Sequence, residues 1–249
     1  MSDDARVTIV ERPSPNHGGR RADAAIDMLV LHYTGMASAA AALERLCDPR
    51  VEVSAHYLID EFGIVYRLVP EERRAWLAGV AFWAGERDVN SRSIGIELAN
   101  PGHDLGYRDF PPAQMAALID LARGILARHP IPAHRVLAHS DVAPTRKIDP
   151  GEKFDWRMLA EAGIGLWPEL SDAGPTVDIA AAQRDLAAFG YEIAATGAMD
   201  DQTASVVKAF QRHFRPARVD GRVDAETATL TCVVANRALP LARTSTARG

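Results

Sequence analysis

One break organises this chain. Up to about residue 166, short apolar runs of strand length alternate with amphipathic stretches of helical period; beyond it the pattern is helical throughout. Strands interleaved with helices must bury a sheet between helical layers, so the first part predicts an α/β fold with a mixed sheet flanked by helices. The remainder predicts a small three-helix module. Between them, Trp167–Pro175 carries Pro168, Ser171, Gly174 and Pro175 and reads as a linker. The expected division is residues 1–166, a linker 167–175, a helical module 176–240 and a disordered tail 241–249.

Within the first part, Ile26–Tyr33 and Ser93–Ala99 read as buried strands, and Val136–Ala138 as a short one. His56–Asp60 and Ile64–Val69 read as a hairpin across Glu61-Phe62-Gly63. Ala37–Leu46 reads as a helix stopped by Asp48-Pro49, and Trp156–Ala162 as one ended by Gly163. Pro111–His129 carries the strongest helical signal, started by two prolines and lined by Met115, Leu118, Leu121, Ala122, Ile125 and Leu126. Residues 1–25 read as polar loop. In the second part the helices are Asp178–Gly190, Asp200–Phe214 and Asp224–Leu239. Two of them share an entry phrase, Gly-x-apolar-Asp-x-x-Thr, at Gly197–Thr203 and Gly221–Thr227. In each the Gly permits a tight turn and the Asp can cap the helix.

The net charge of −5 argues against a protein that coats nucleic acid. The two cysteines, Cys47 and Cys232, fall in different parts, which excludes a disulfide scaffold and a cysteine-type zinc site. The start, Met1–Arg6, has no basic segment leading into an apolar run, and no stretch is long and apolar enough to span a bilayer. The expectation is a cytoplasmic protein; the alternative is the periplasm or cell envelope, reached by a signal-independent route.

Three segments carry the chemistry: Leu31–Gly35, Ala138–Asp141 and Lys147–Gly151. They hold two histidines, His32 and His139, and a carboxylate, Asp149. Two neutral imidazoles and one carboxylate leave a tetrahedral metal with a place for water, the arrangement of a hydrolytic zinc site. The alternative is three unrelated polar residues. Glu97 closes the apolar run Ile94-Gly95-Ile96, where an acid is costly unless it has a partner or a task.

These phrases, taken in order with Ser54–Asp60, Arg74–Gly79, Asn90–Leu98 and Phe110–Met115, resemble the AmpD/AmiD type of N-acetylmuramoyl-L-alanine amidases over roughly residues 12–165. Enzymes of that type use zinc to cut the amide between the lactyl group of N-acetylmuramic acid and L-alanine. The resemblance implies one zinc ion on His32, His139 and Asp149. It implies Glu97 as general base and Lys147 as the cation facing the tetrahedral oxyanion, with Arg146 able to compete for that task. His56 matches a family histidine that is not a ligand, so it is read as lining the site or lying in the core. Tyr33, Trp76, Arg92 and Asn100 are candidate substrate contacts. Phe82 and Trp83 stand between a substrate wall and core packing. Leu77 stands where the family often has histidine in the phrase Ala75–Gly79, which puts the contacts near Trp76 in doubt.

The second part resembles the small helical peptidoglycan-binding module, on the phrase Thr203–Arg212 with Asp220-Gly221 and Thr227. Together the two resemblances imply a hydrolase acting on peptidoglycan or on muropeptides, including the 1,6-anhydro form, in cell-wall recycling or remodelling. The alternative is a non-catalytic peptidoglycan receptor on the same scaffold. The two-part division further predicts that residues 175–249 can be removed without loss of turnover on soluble muropeptide.

Overall fold

A computed structural model of the chain describes residues 9–169 and 177–238. The expected tail 241–249 and residues 170–175 of the expected linker lie outside the described residues. The elements are β1 (Ile9–Glu11), β2 (His17–Gly19), β3 (Met28–Tyr33), α1 (Ala39–Leu46), β4 (Tyr57–Ile59), β5 (Val65–Arg67), β6 (Arg73–Ala75), α2 (Val89–Arg92), β7 (Ser93–Leu98), α3 (Pro112–Arg128), β8 (Val136–Ala138), α4 (His139–Val142), α5 (Trp156–Glu161), α6 (Ile179–Phe189), α7 (Asp201–Phe214) and α8 (Ala225–Ala238).

Six strands form one mixed sheet in the order β1-β5-β4-β7-β3-β8, with β4 and β5 antiparallel as a hairpin and the other pairs parallel. A separate antiparallel pair joins β2 to β6. Helices cover both faces of the main sheet, which is why its central strands are continuously apolar rather than alternating. On one face Leu29, Leu31, Ile94, Ile96 and Leu98 pack against Leu118, Leu121 and Ile125 of α3 and Trp156 of α5. On the other, Met28, Val30, Leu58 and Leu137 share a core with Ala42 and Leu46 of α1. Ser38 caps α1, its side chain accepting from the Ala41 N–H at 3.2 Å, so the helix begins two residues later than its composition suggests.

Residues 1–25, expected to be loop, supply β1 and β2. All three residues of β1 are exposed at the sheet edge, so no burial pattern marks them, and β2 is His-Gly-Gly. Both strands are held by backbone pairing, which leaves no trace in side-chain composition.

The C-terminal helices repeat one device. Gln183 accepts the Gly197 N–H at 2.8 Å and donates to the Thr203 hydroxyl at 2.9 Å. Gln211 accepts the Gly221 N–H at 2.8 Å and donates to the Thr227 hydroxyl at 3.3 Å. Both glycines have left-handed backbone, φ +77° and +74°, and Asp200 and Asp224 accept from Thr203 and Thr227 as expected of caps. The shared phrase is thus one turn built twice.

These helices do not stand apart from the sheet domain. Leu186, Phe189, Tyr191, Val206, Phe210 and Phe214 belong to the same apolar core as Trp83, Val142 and the β3 face. Trp83 is fully buried there, 5.2 Å edge-on to Phe189 and 4.9 Å from Tyr191. Of its two expected roles, wall or core, it takes the core.

Candidate metal centre and catalytic site

Because β3, β7 and β8 run parallel, their C-terminal ends meet at one rim of the sheet, where α/β folds gather ligands. His32, next to last in β3, has the parity of Met28 and Val30, so it projects to the α1 side. Glu97 is its register partner on β7 and projects the same way. His139 follows β8 directly as the first residue of α4. Asp149 arrives on the next loop, which is tied back when the Ser140 N–H donates to the Asp149 carbonyl at 3.0 Å.

Three side-chain atoms converge. His32 Nδ1 lies 2.9 Å from His139 Nδ1 and 3.2 Å from Asp149 Oδ2, and His139 Nδ1 lies 3.0 Å from the same oxygen. All three residues are buried. His139 Nε2 donates to the Ala78 carbonyl at 3.2 Å, which fixes the tautomer and leaves the Nδ1 lone pair facing the other two groups. Lone pairs so close repel unless a cation shares them. Burial opposes ionisation of Asp149, yet His139 and His32 hold its carboxyl well below the usual carboxylate range. One carboxylate oxygen and two imidazole nitrogens brought together in this way are a donor set that could hold a metal ion.

Glu97 stands beside this triangle, and among the described residues its Oε2, sealed from solvent, has no partner. Burial pushes its carboxyl up to about 7; His32 and Lys147 oppose the shift and Asp149 adds to it. Lys147 lines the same cavity of about 450 Å³ as His32, Tyr33, Glu97 and Asp149. A neighbouring cleft of about 560 Å³ carries Trp76, Leu77, Arg74 and Asn90 and shares His139, Arg146 and Lys147 with the first. Leu77 lies over Gly95, so close that a Cβ there would meet its Cδ2 at 2.5 Å.

Three candidate contacts do not reach the cavity. His56 is fully buried; its Nδ1 accepts the Gly95 N–H at 3.0 Å, which leaves the Nε2 proton for the Arg73 carbonyl at 3.1 Å. Burial and the Arg20 guanidinium push it down to about 3, so it remains a neutral core residue. Arg92 sits at the opposite end of β7, donating to Asp27 Oδ1 at 3.0 Å. Asn100 is buried in a turn, donating to the Arg108 carbonyl at 2.8 Å and accepting the Gly102 N–H at 3.0 Å.

Other residues at the rim carry no motif. Tyr33 hydroxyl meets His103 Nδ1 at 3.0 Å, and His103 Nε2 meets Glu152 at 3.2 Å. Tyr107 donates to the Pro150 carbonyl at 2.6 Å, beside Asp149. Arg146 is held by the Ala78 carbonyl at 2.9 Å. Its place next to Lys147 was the signal available for it; the His103 and Tyr107 contacts bridge more than forty residues and leave none.

A sheet rim that brings a buried His–His–Asp triangle able to hold a metal ion beside a buried acid has the parts of a hydrolytic site. Residues 22–152 match the N-acetylmuramoyl-L-alanine amidase family, and residues 176–230 a putative peptidoglycan-binding domain. The chain is 40% identical to the N-acetylmuramoyl-L-alanine amidase AmiD of Escherichia coli over 84% of its length and 83% of that protein's. It is 34% identical to the 1,6-anhydro-N-acetylmuramyl-L-alanine amidase AmpD of Enterobacter cloacae over 58% of its length and 84% of the relative's. The structure of E. coli AmiD with the substrate anhydro-N-acetylmuramic acid-L-Ala-D-gamma-Glu-L-Lys superposes with a TM-score of 0.77 at 37% identity, covering 88% of this chain and 93% of that one. AmpDh3 of Pseudomonas aeruginosa with anhydromuramic pentapeptide gives 0.77 at 34%, covering 95% and 98%. The chain belongs to the N-acetylmuramoyl-L-alanine amidase family.

Proposed function

We propose that the chain hydrolyses the amide joining N-acetylmuramic acid, in its 1,6-anhydro form among others, to L-alanine, with His32, His139 and Asp149 holding one zinc ion. The observation that carries this reading is the convergence of three buried ligand atoms beside the partnerless Glu97. Zinc bound there would act as a Lewis acid on the scissile carbonyl and make water acidic enough to react near neutrality.

The chain's own groups supply the proton transfers. The Glu97 carboxylate, which lines the cavity beside the three ligand atoms, takes a proton from water as the water oxygen attacks the carbonyl carbon. It returns that proton to the L-alanine nitrogen as the C–N bond breaks. A carboxyl held near 7 suits both directions. Lys147, facing the same cavity, offsets the charge that develops on the carbonyl oxygen. Tyr33 and Trp76 line the two clefts that meet at this point and are read as substrate contacts. Residues 1–166 are read as the catalytic module and 176–240 as the peptidoglycan-binding module.

Product mass spectrometry tests the reading on soluble anhydro-muropeptide and intact murein sacculi, with and without a chelator. Free stem peptide beginning at L-alanine, lost on chelation, is the expected outcome. Retention of murein by zinc-loaded protein with no cleavage of either substrate would replace the amidase reading with a receptor.

A further inference from the structure

The hydrolysis described above makes no use of the C-terminal helices, yet those helices reach the loop that carries His139. The link is Asp141, 1% exposed, two residues after that histidine. Its Oδ2 accepts from the Ala138 N–H at 2.8 Å and from His213 Nδ1 at 2.7 Å. Its Oδ1 accepts from the Tyr191 hydroxyl at 2.6 Å. The first bond closes the opening turn of α4, where His139 is the first residue. The other two come from α7 and from the residue that follows the cap of α6.

Neither donor is free to move. His213 is 1% exposed and stacks on Trp156 with ring centroids 3.7 Å apart and planes 22° apart. Tyr191 is 2% exposed and packs on Trp83. A carboxylate in such a place is costly, and an apolar side chain would fill the space at lower cost. Asp141 instead has both oxygens occupied by donors from three parts of the chain, which makes it a fixed joint.

We propose that Tyr191 and His213 are positioning residues: acting through Asp141, they fix α4 so that His139 Nδ1 faces His32 and Asp149. The C-terminal module is thereby part of the metal centre as well as a candidate binder of peptidoglycan. The inference rests on the reading of His139 as a metal ligand.

The test measures the zinc dissociation constant of the full chain by chelator competition, with the melting temperature of the metal-free protein alongside. Tyr191→Phe removes one hydroxyl and keeps the ring; it is expected to weaken zinc about tenfold, and His213→Ala by more, in the range usual for groups that orient metal ligands. His213→Asn places an amide N–H where Nδ1 stood and is expected to recover most of the affinity. Gln211→Ala loosens the same module without touching Asp141 and should bind zinc as the parent does. If His213→Ala does not fold, Tyr191→Phe decides alone. Parental affinity in both Tyr191→Phe and His213→Ala, or an equal loss in Gln211→Ala, overturns the proposal. A parent chain that binds no zinc overturns the underlying metal reading instead.

Discussion

Glu97 shows what burying an acid costs the fold. Its folded carboxyl is held near 7, while an unfolded glutamate titrates near 4.5. The native state therefore holds its proton more tightly, and as pH rises from about 4.5 through 7 this group withdraws stability, on the order of 3–4 kcal/mol in all. In metal-free protein Glu97→Gln should raise stability at pH 8 and leave it nearly unchanged at pH 4, as read by urea denaturation at both. The same variant should keep its zinc and lose about 10²–10⁴-fold in kcat/KM. Turnover near the parent's would remove Glu97 from the proton transfers. His32 and Glu97 were legible in the sequence because each ends a buried apolar run, where a polar group needs a reason. Arg92 was not, since sequence proximity to Glu97 conceals that six strand residues carry it to the other end of the sheet.

Among elements, the loop Lys147–Gly151 is the most exacting. Gly151 has φ +84°, and a Cβ there would collide with the Tyr107 hydroxyl and meet His103 Cε1 at 2.9 Å. Tyr107 in turn donates to the Pro150 carbonyl, so the aromatic pair clamps the residue that follows Asp149. Gly151→Ala should cost about 1–3 kcal/mol through strain and overlap, and displace the third ligand. Thermal melting and bound zinc per chain measure both; a variant with parental values in each would show that the loop tolerates the change. The helices α3, α6 and α7 were legible from apolar period and capping residues. β1, β2 and α4 were not: two are held by backbone bonds alone, and α4 is a single turn fixed by contacts from distant segments.

At the scale of the molecule, composition suggested two separable parts, and each was recognisable by its own motif. Their junction was not, because Asp141 meets its partners across 50 and 72 residues and such pairs leave no local pattern. The structure therefore revises the expectation that residues 175–249 are dispensable. Removing them would expose Trp83 and Val142 and take both C-terminal donors from Asp141. Each large apolar side chain exposed costs about 1.5–3 kcal/mol and each buried acceptor stripped of its donor about 1–3 kcal/mol. That is a large share of the 5–15 kcal/mol that holds a typical domain. The truncated chain should show weakened near-ultraviolet dichroism and no sharp melting transition, while the full chain melts in one step. A truncate that melts sharply and cuts soluble muropeptide at the parental rate would restore the two-part view.

The order of the strands sets a timetable during synthesis. Strand β3 emerges early but pairs on one side with β7 and on the other with β8, so it waits more than a hundred residues for its second neighbour. The face carrying His32 waits longer, since Phe210 and Phe214 of α7 complete its core. On a ribosome that releases the chain from its N-terminus, the hydrolytic centre is among the last features to close. The three ligand atoms therefore gain their complete packing only once α7 has emerged.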